Sequence, residues 1–156
     1  MGASNCSSAV RIAFALVKEF EGFSASPYLC PAGVPTIGYG ATTYEGGTRV
    51  AMTDRPVSEG KAQELAKITL TQCAISALKA SPSLAAAPNK LGAISDFIYN
   101  LGGSRYKSST LRRRIDDGDL DGAADELTRW VRGGGRVLPG LVRRRAAERA
   151  LFLSEG

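Results

Sequence analysis

Apolar residues recur at helical spacing along most of the chain, with one interruption. Val10, Ala13, Phe14 and Val17 stand at i, i+3, i+4 and i+7, one face of an α-helix. The pattern predicts a helix over 8–21, capped by Ser7 or Ser8 and stopped at Gly22. Between 23 and 56 that stripe is gone. Short β-type pieces, Tyr28-Leu29 and Val34 to Tyr39, alternate with turn signals such as Pro31-Ala32-Gly33 and Glu45-Gly46-Gly47. This stretch predicts a small hairpin sheet.

From Pro56 the helical spacing returns. Ser58 is placed to cap a long helix to about Ala80, with Leu65, Ile68, Ile75 and Leu78 among its apolar positions; Ser81-Pro82 ends it. Leu91, Ile94, Ile98 and Leu101 form a stripe closed by Gly102-Gly103. Ser109 is a cap for a short helix holding Leu111 and Ile115. Leu120, Ala123, Ala124, Leu127 and Val131 mark another, closed by Gly133-Gly134-Gly135. Pro139 starts a last helix to about Leu153. Strands gathered in one segment and helices in the rest indicate an α+β fold. A single domain over 1–156 is expected, with a sheet lobe at about 23–56 and a helical part made of 8–22 and 57–156. A cleft between two such lobes is a usual place for a ligand.

Composition removes several chemistries. The 156 residues include no histidine. That excludes Ser-His-Asp and Cys-His catalysis, HExxH zinc sites and imidazole proton shuttles. Acid–base work falls to carboxylates, thiols, tyrosines or lysines. Cys6, Cys30 and Cys73 are an odd number at irregular spacing with no CxxC, so neither a disulfide scaffold nor a structural zinc is expected, and no metal or cofactor is predicted. No apolar run approaches the roughly 18 residues of a membrane-spanning helix. Arg11 interrupts the apolar stretch from Val10, so neither a signal peptide nor stable membrane insertion is predicted. The net charge is +5, and all of the excess lies in residues 57–156. Such a surface suits an anionic polymer, or is simply a soluble basic surface. In Arg112-Arg113-Arg114 and Arg143-Arg144-Arg145, successive side chains point about 100° apart on a helix and make no single patch. No nucleic-acid-binding module is visible, so nucleic acid is not an expected partner.

Two places can carry chemistry. Glu21 lies four residues after Val17 and extends the apolar stripe of its helix. Burial and the partial negative charge of a helix C-terminus both disfavour a charged carboxylate, which makes Glu21 a candidate general acid. A solvated helix-terminal Glu is the plainer reading. Cys30 and Thr36 are the second place. A turn centred at Gly33 sets them opposite each other on one face, with Ile37 on the other. The plainer reading there is a buried Cys beside a sheet Thr. Gly38 and Gly40 lack side chains and are expected to leave room for a bulky substrate.

Glu21-Gly22, the run from Tyr28-Leu29-Cys30-Pro31 through Val34-Pro35-Thr36-Ile37-Gly38-Tyr39-Gly40, and Thr42 resemble the phage-type lysozymes, the endolysins of glycoside hydrolase family 24. The similarity continues through Tyr99-Asn100-Leu101-Gly102, Ser109-Thr110-Leu111, Trp130, Arg144-Arg145 and Glu148 to Leu153. The resemblance implies a lysozyme-like domain that hydrolyses the β-1,4 bond between N-acetylmuramic acid and N-acetylglucosamine in peptidoglycan. It implies that Glu21 is the general acid, that Thr36 helps hold the attacking water, and that Cys30 stands where many members have an Asp that positions or activates that water. Tyr28, Tyr99 and Asn100 match cleft-lining positions that contact the sugar chain, and either Arg144 or Arg145 faces Glu21. The resemblance further implies a monomer, held in the host cytoplasm until a membrane lesion releases it to the cell wall. Two departures stand out. Cys30 removes the second carboxylate, so the two-carboxylate geometry is not assumed. Ala41 stands where the family usually has a His that supports the fold and site. They keep two alternatives open: a catalytically weak peptidoglycan-binding protein, or a lytic transglycosylase, which needs only one Glu.

Overall fold

The computed structural model describes residues 2–155. Its elements run α1 (Gly2–Glu21), β1 (Ser24–Leu29), β2 (Pro35–Gly38), α2 (Glu59–Ala80), α3 (Pro88–Leu101), α4 (Gly103–Lys107), α5 (Thr110–Asp116), α6 (Leu120–Leu127), β3 (Arg132–Gly133), β4 (Arg136–Val137) and α7 (Pro139–Leu153). This is the expected α+β arrangement, helical for most of its length with a small antiparallel sheet near the start.

α3 is the hub. Every residue from Leu91 to Ile98 is buried, which only a helix surrounded by others can achieve. α1, α2 and α7 pack around it. Gly92 permits the α1 contact, since a Cβ there would meet the Ala9 carbonyl oxygen at 3.2 Å. On α1 itself Ala9, Ala13 and Val17 are fully buried. That helix begins at Gly2 rather than at the predicted Ser7 or Ser8 cap. Cys6 continues its apolar face onto the core, and Asn5 donates to the Ala85 carbonyl at 2.8 Å, so the serines sit inside the helix. Its end is as predicted: Gly22 takes φ 69°, the left-handed stop position.

Ser58 and Ser109 cap as expected. Their hydroxyl oxygens accept from Lys61 N–H at 3.1 Å and from Arg112 N–H at 3.0 Å. The buried face of α2 differs from the predicted one. Leu65 is buried, but Ile68 and Ile75 are 42% and 45% exposed. Ala62, Ala66, Ala74 and Ala77 turn inward instead, and their small side chains let the helix approach its neighbours closely. α6 ends at Leu127, short of Val131. The glycines after it are more than a stop: Gly134 and Gly135 have φ of 60° and 81° and form the two-residue turn of the β3–β4 hairpin.

The β1–β2 register also differs from the sequence expectation. Thr36 pairs with Tyr28, Leu29 with Pro35, and a bulge separates Tyr28 from Ser24. Cys30 lies beyond the ladder, its N–H donating to the Val34 carbonyl at 3.1 Å. The cause is the turn chemistry. Gly33 donates to the Cys30 carbonyl and takes φ 77°, so it closes a Pro31-Ala32-Gly33 loop instead of centring it. Beyond the sheet, Ile37, Ala41, Val50 and Leu65 form a small apolar cluster of their own. Gly38 fits against α2: a Cβ there would stand 2.9 Å from the Ala62 Cβ, at φ 65°.

Two glycine substitutions separate backbone strain from crowding. Gly33→Ala meets open space and is expected to cost about 1 kcal/mol for its left-handed backbone. Gly38→Ala adds the collision with Ala62 and is expected to cost about 1–3 kcal/mol more. Urea unfolding of the two variants measures the difference.

Candidate active site

Glu21 ends α1, where the chain turns into the sheet. Its side chain is 22% exposed and its Oε1 accepts from Arg144 Nη1 at 2.7 Å. Of the two arginines left open by the sequence, Arg144 is therefore the one that meets it. Arg144 is itself buried and is held from the other side by Asp96 on α3. Its Nε and Nη2 donate to Asp96 Oδ2 and Oδ1 at 2.9 and 2.7 Å, the bidentate arrangement a guanidinium favours. Phe20 lies under the guanidinium, 5.9 Å from its ring centre. Arg145 turns inward beside it and donates from Nη2 to Asn100 Oδ1 at 2.7 Å. Arg143 stays exposed. In the other run Arg112 pairs with Asp116 and Arg114 with Asp119, so neither run is a basic patch.

The other face of Glu21 meets the sheet lobe. A Cβ on Gly40 would stand 3.0 Å from Glu21 Oε2. The glycine pair predicted to admit substrate is thus used inside the protein: Gly38 admits Ala62, and Gly40 admits the Glu21 carboxylate. Tyr39 between them is a structural rivet. Its hydroxyl donates to Glu59 at 2.7 Å, its ring meets Phe14 edge-on at 5.6 Å, and its carbonyl accepts from the Tyr99 hydroxyl. The Tyr99 hydroxyl is therefore engaged within the protein. Burial drives its phenol upward.

Cys30, Tyr28 and Thr36 share one face of the hairpin despite the changed register, because residues two apart on a strand point the same way. Tyr28 is opposite Thr36, and Cys30 is on the diagonal. Burial raises the Tyr28 phenol, and the charges of Glu21 and Cys30 raise it further. Backbone hydrogen bonds at Val34 and Ala32 lower the Cys30 thiol from its ordinary value. Thr36 donates its own proton to the Val34 carbonyl at 2.8 Å, leaving its oxygen as an acceptor. Ala41, where the resemblance leads one to expect His, is 8% exposed and packs with Ile37 and Val50. It exchanges both backbone hydrogen bonds with Ile37.

Glu21, Phe20, Asn100, Leu138, Leu141 and Arg144 line a cleft of about 490 Å³ between the ends of α1 and α3 and the start of α7. Sequence reasoning missed Asp96. Its only signal was a carboxylate within an otherwise apolar helix, at a position off the Leu91, Ile94, Ile98 stripe.

The Phage lysozyme family model matches residues 18–148. An endolysin of Acyrthosiphon pisum secondary endosymbiont phage 1 is 32% identical over 143 residues, 89% of this chain and 93% of that protein. The endolysin from Escherichia coli O157:H7 phage FAHEc1 is similar in structure, with a TM-score of 0.79 and 25% identity over 92% of each chain. The muramidase domain of SpmX from Asticaccaulis excentricus superimposes with a TM-score of 0.75 at 28% identity, covering 92% of this chain and 96% of that one.

The cysteines differ enough in environment to be told apart chemically. Cys73 is buried and its thiol is pushed up to about 12, whereas that of Cys30 is lowered. Thiolate is the reactive form, so near neutral pH iodoacetamide is expected to modify Cys30 well before Cys73. Peptide mass spectrometry over a time course reads the order.

Proposed function

The chain belongs to the phage lysozyme family of peptidoglycan-hydrolysing glycoside hydrolases, and on that footing we propose that it cleaves the β-1,4 bond between N-acetylmuramic acid and N-acetylglucosamine with Glu21 as general acid. The observation that carries this reading is the two-sided hold on Glu21. Arg144 fixes Oε1, while Oε2 lies against the side-chain-free Gly40 of the sheet lobe. Oε2 is the oxygen that delivers the proton to the leaving glycosidic oxygen. The carboxylate left behind is met by the Arg144 guanidinium, which is already in place and needs no reorganisation.

On the sheet side, Thr36 and Cys30 hold the attacking water. The Thr36 oxygen accepts a hydrogen bond from the one water proton that stays on the product hydroxyl, since its own proton is committed to Val34. The Cys30 thiolate takes the other as the water oxygen bonds to the anomeric carbon, the glycosidic C–O bond breaks, and Glu21 transfers its proton to the departing oxygen. The lowered Cys30 thiol supports this role for a group that replaces a carboxylate. Tyr28 and Asn100 line the sugar path beside these groups. The site sits in one lysozyme-like domain over 1–156 that works as a monomer without metal or cofactor. Its +5 charge favours the anionic cell wall over any specific nucleic acid. Among the described residues no helix is long and apolar enough to cross a membrane. The protein remains in the host cytoplasm until a membrane lesion admits it to the wall.

Glu21→Gln keeps an oxygen for Arg144 and loses the transferable proton. Release of reducing ends from purified peptidoglycan is expected to fall on the order of 10²–10⁴-fold while binding to the sacculus is kept. Anhydro-muramyl ends from the unaltered protein would identify a transglycosylase instead. Intact glycan with retained binding would leave only a binding protein.

A further inference from the structure

The cleft of about 490 Å³ beside Glu21 carries two charges that the hydrolysis mechanism leaves unused, Glu19 on α1 and Arg143 on α7. Both side chains are exposed. Neither forms an ion pair among the described residues, not even with the other, whereas their chain neighbours do: Lys18 pairs with Glu59, and Arg144 with Glu21 and Asp96. The place of Arg143 is set by the two arginines after it. Arg144 is locked onto Asp96 and Glu21, and Arg145 turns inward to Glu148, which fixes the rotation of α7 and leaves Arg143 at the cleft. Its guanidinium folds back over Gly140, where a Cβ would stand 3.9 Å from Nη2. Gly140 lines the cleft as well, and its missing side chain leaves the guanidinium accessible from it. Leu138 and Leu141 supply an apolar wall. Asn100 Oδ1 accepts from Arg145 Nη2 at 2.7 Å, so the Asn100 amide nitrogen is left to donate into the cleft.

A strand of N-acetylated sugars offers these charges nothing. Its hydroxyl and acetamido groups are neutral, and the lactyl carboxyl of each muramic acid is taken up in the amide bond to its peptide. The peptide stem is the charged part of the polymer. It carries free carboxylates and, where it holds an uncrosslinked diamino acid, a free amine. The stem also leaves the muramic acid only two ring bonds from the anomeric carbon that is attacked, so it starts close to Glu21.

We propose that this cleft reads the peptide stem, with Arg143 pairing with a stem carboxylate and Glu19 with the free amine of its diamino acid. The proposal rests on the peptidoglycan reading above and names the part of that polymer which decides specificity. A guanidinium meets a carboxylate with two parallel hydrogen bonds, so Arg143 selects a carboxylate by shape as well as by charge. Two charges of opposite sign on two helices also fix the direction of the stem, because a reversed stem sets like charges face to face. Crosslinking consumes the amine that Glu19 meets. Uncrosslinked stems are therefore the preferred ones.

One test needs no turnover. The peptide N-acetyl-L-alanyl-D-glutamyl-meso-diaminopimelate, with its side-chain amine free or acetylated, is titrated into the protein and followed by NMR chemical shifts. The parent protein is expected to bind the free-amine form, and Arg143→Gln to bind it about three- to tenfold more weakly. Glu19→Gln is expected to weaken binding by a similar factor, but only where the amine is free. No binding by the parent protein overturns the proposal, and so does equal binding by the variants. The second test compares kcat/KM on purified peptidoglycan with kcat/KM on the same glycan stripped of its peptides by an amidase. The preference for the peptide-bearing form is expected to fall about three- to tenfold in Arg143→Gln. A preference that the substitution leaves unaltered refutes the proposal. A parent protein that hydrolyses neither form refutes the hydrolase reading instead, and the titration then decides the stem alone.

Discussion

One guanidinium joins three helices through two carboxylates. Arg144 on α7 grips Asp96 on α3 with two prongs and reaches Glu21 on α1 with a third. Taking such charges out of water costs several kcal/mol per ion unless partners and geometry offset it. Here the offset is nearly complete for Arg144, and removal of either partner leaves a buried charge exposed to that cost. The same bond that orients Glu21 therefore also fixes the packing of α1 and α7 on α3. With Glu21 as the proposed acid, activity and stability share one interaction.

The sheet lobe is brought to this frame by a different set of contacts. Tyr39 ties it to α1 through Phe14, to α2 through Glu59 and to α3 through Tyr99. Gly38 and Gly40 flank that residue and permit the close approach on both sides. The consequence is functional. Cys30, Thr36 and Tyr28 stand on a hairpin placed relative to Glu21 by this segment together with the Ile37–Leu65 contact to α2. The proposed proton donor on the helical frame and the proposed water site on the small sheet are held in register through these contacts.

What could be read from the chain follows from how local each signal is. Ser58 and Ser109 were legible as caps because capping involves only the next three residues. The α+β order and the ends of α1 and α7 were legible for the same reason. The Tyr28–Thr36 pairing was not, because a glycine in a turn reads alike whether it centres or closes the loop. Nor was the inward face of α2, where alanines carry no hydrophobic contrast against Ile68 and Ile75. Glu21, Cys30 and Thr36 are grouped as one proposed constellation by the family resemblance rather than by spacing. Asp96 and the choice of Arg144 over Arg145 depend on partners 48 and 123 residues away, and no local pattern records such distances.

The forked geometry of Arg144, and not merely its charge, holds Glu21 and the core together. Arg144→Lys keeps the charge and removes the fork. Urea unfolding and hydrolysis of purified peptidoglycan by the same variant test it directly. The account predicts a loss of at least about 2 kcal/mol in stability together with a rate lowered tenfold or more. A lysine variant as stable and as active as the parent protein would contradict it.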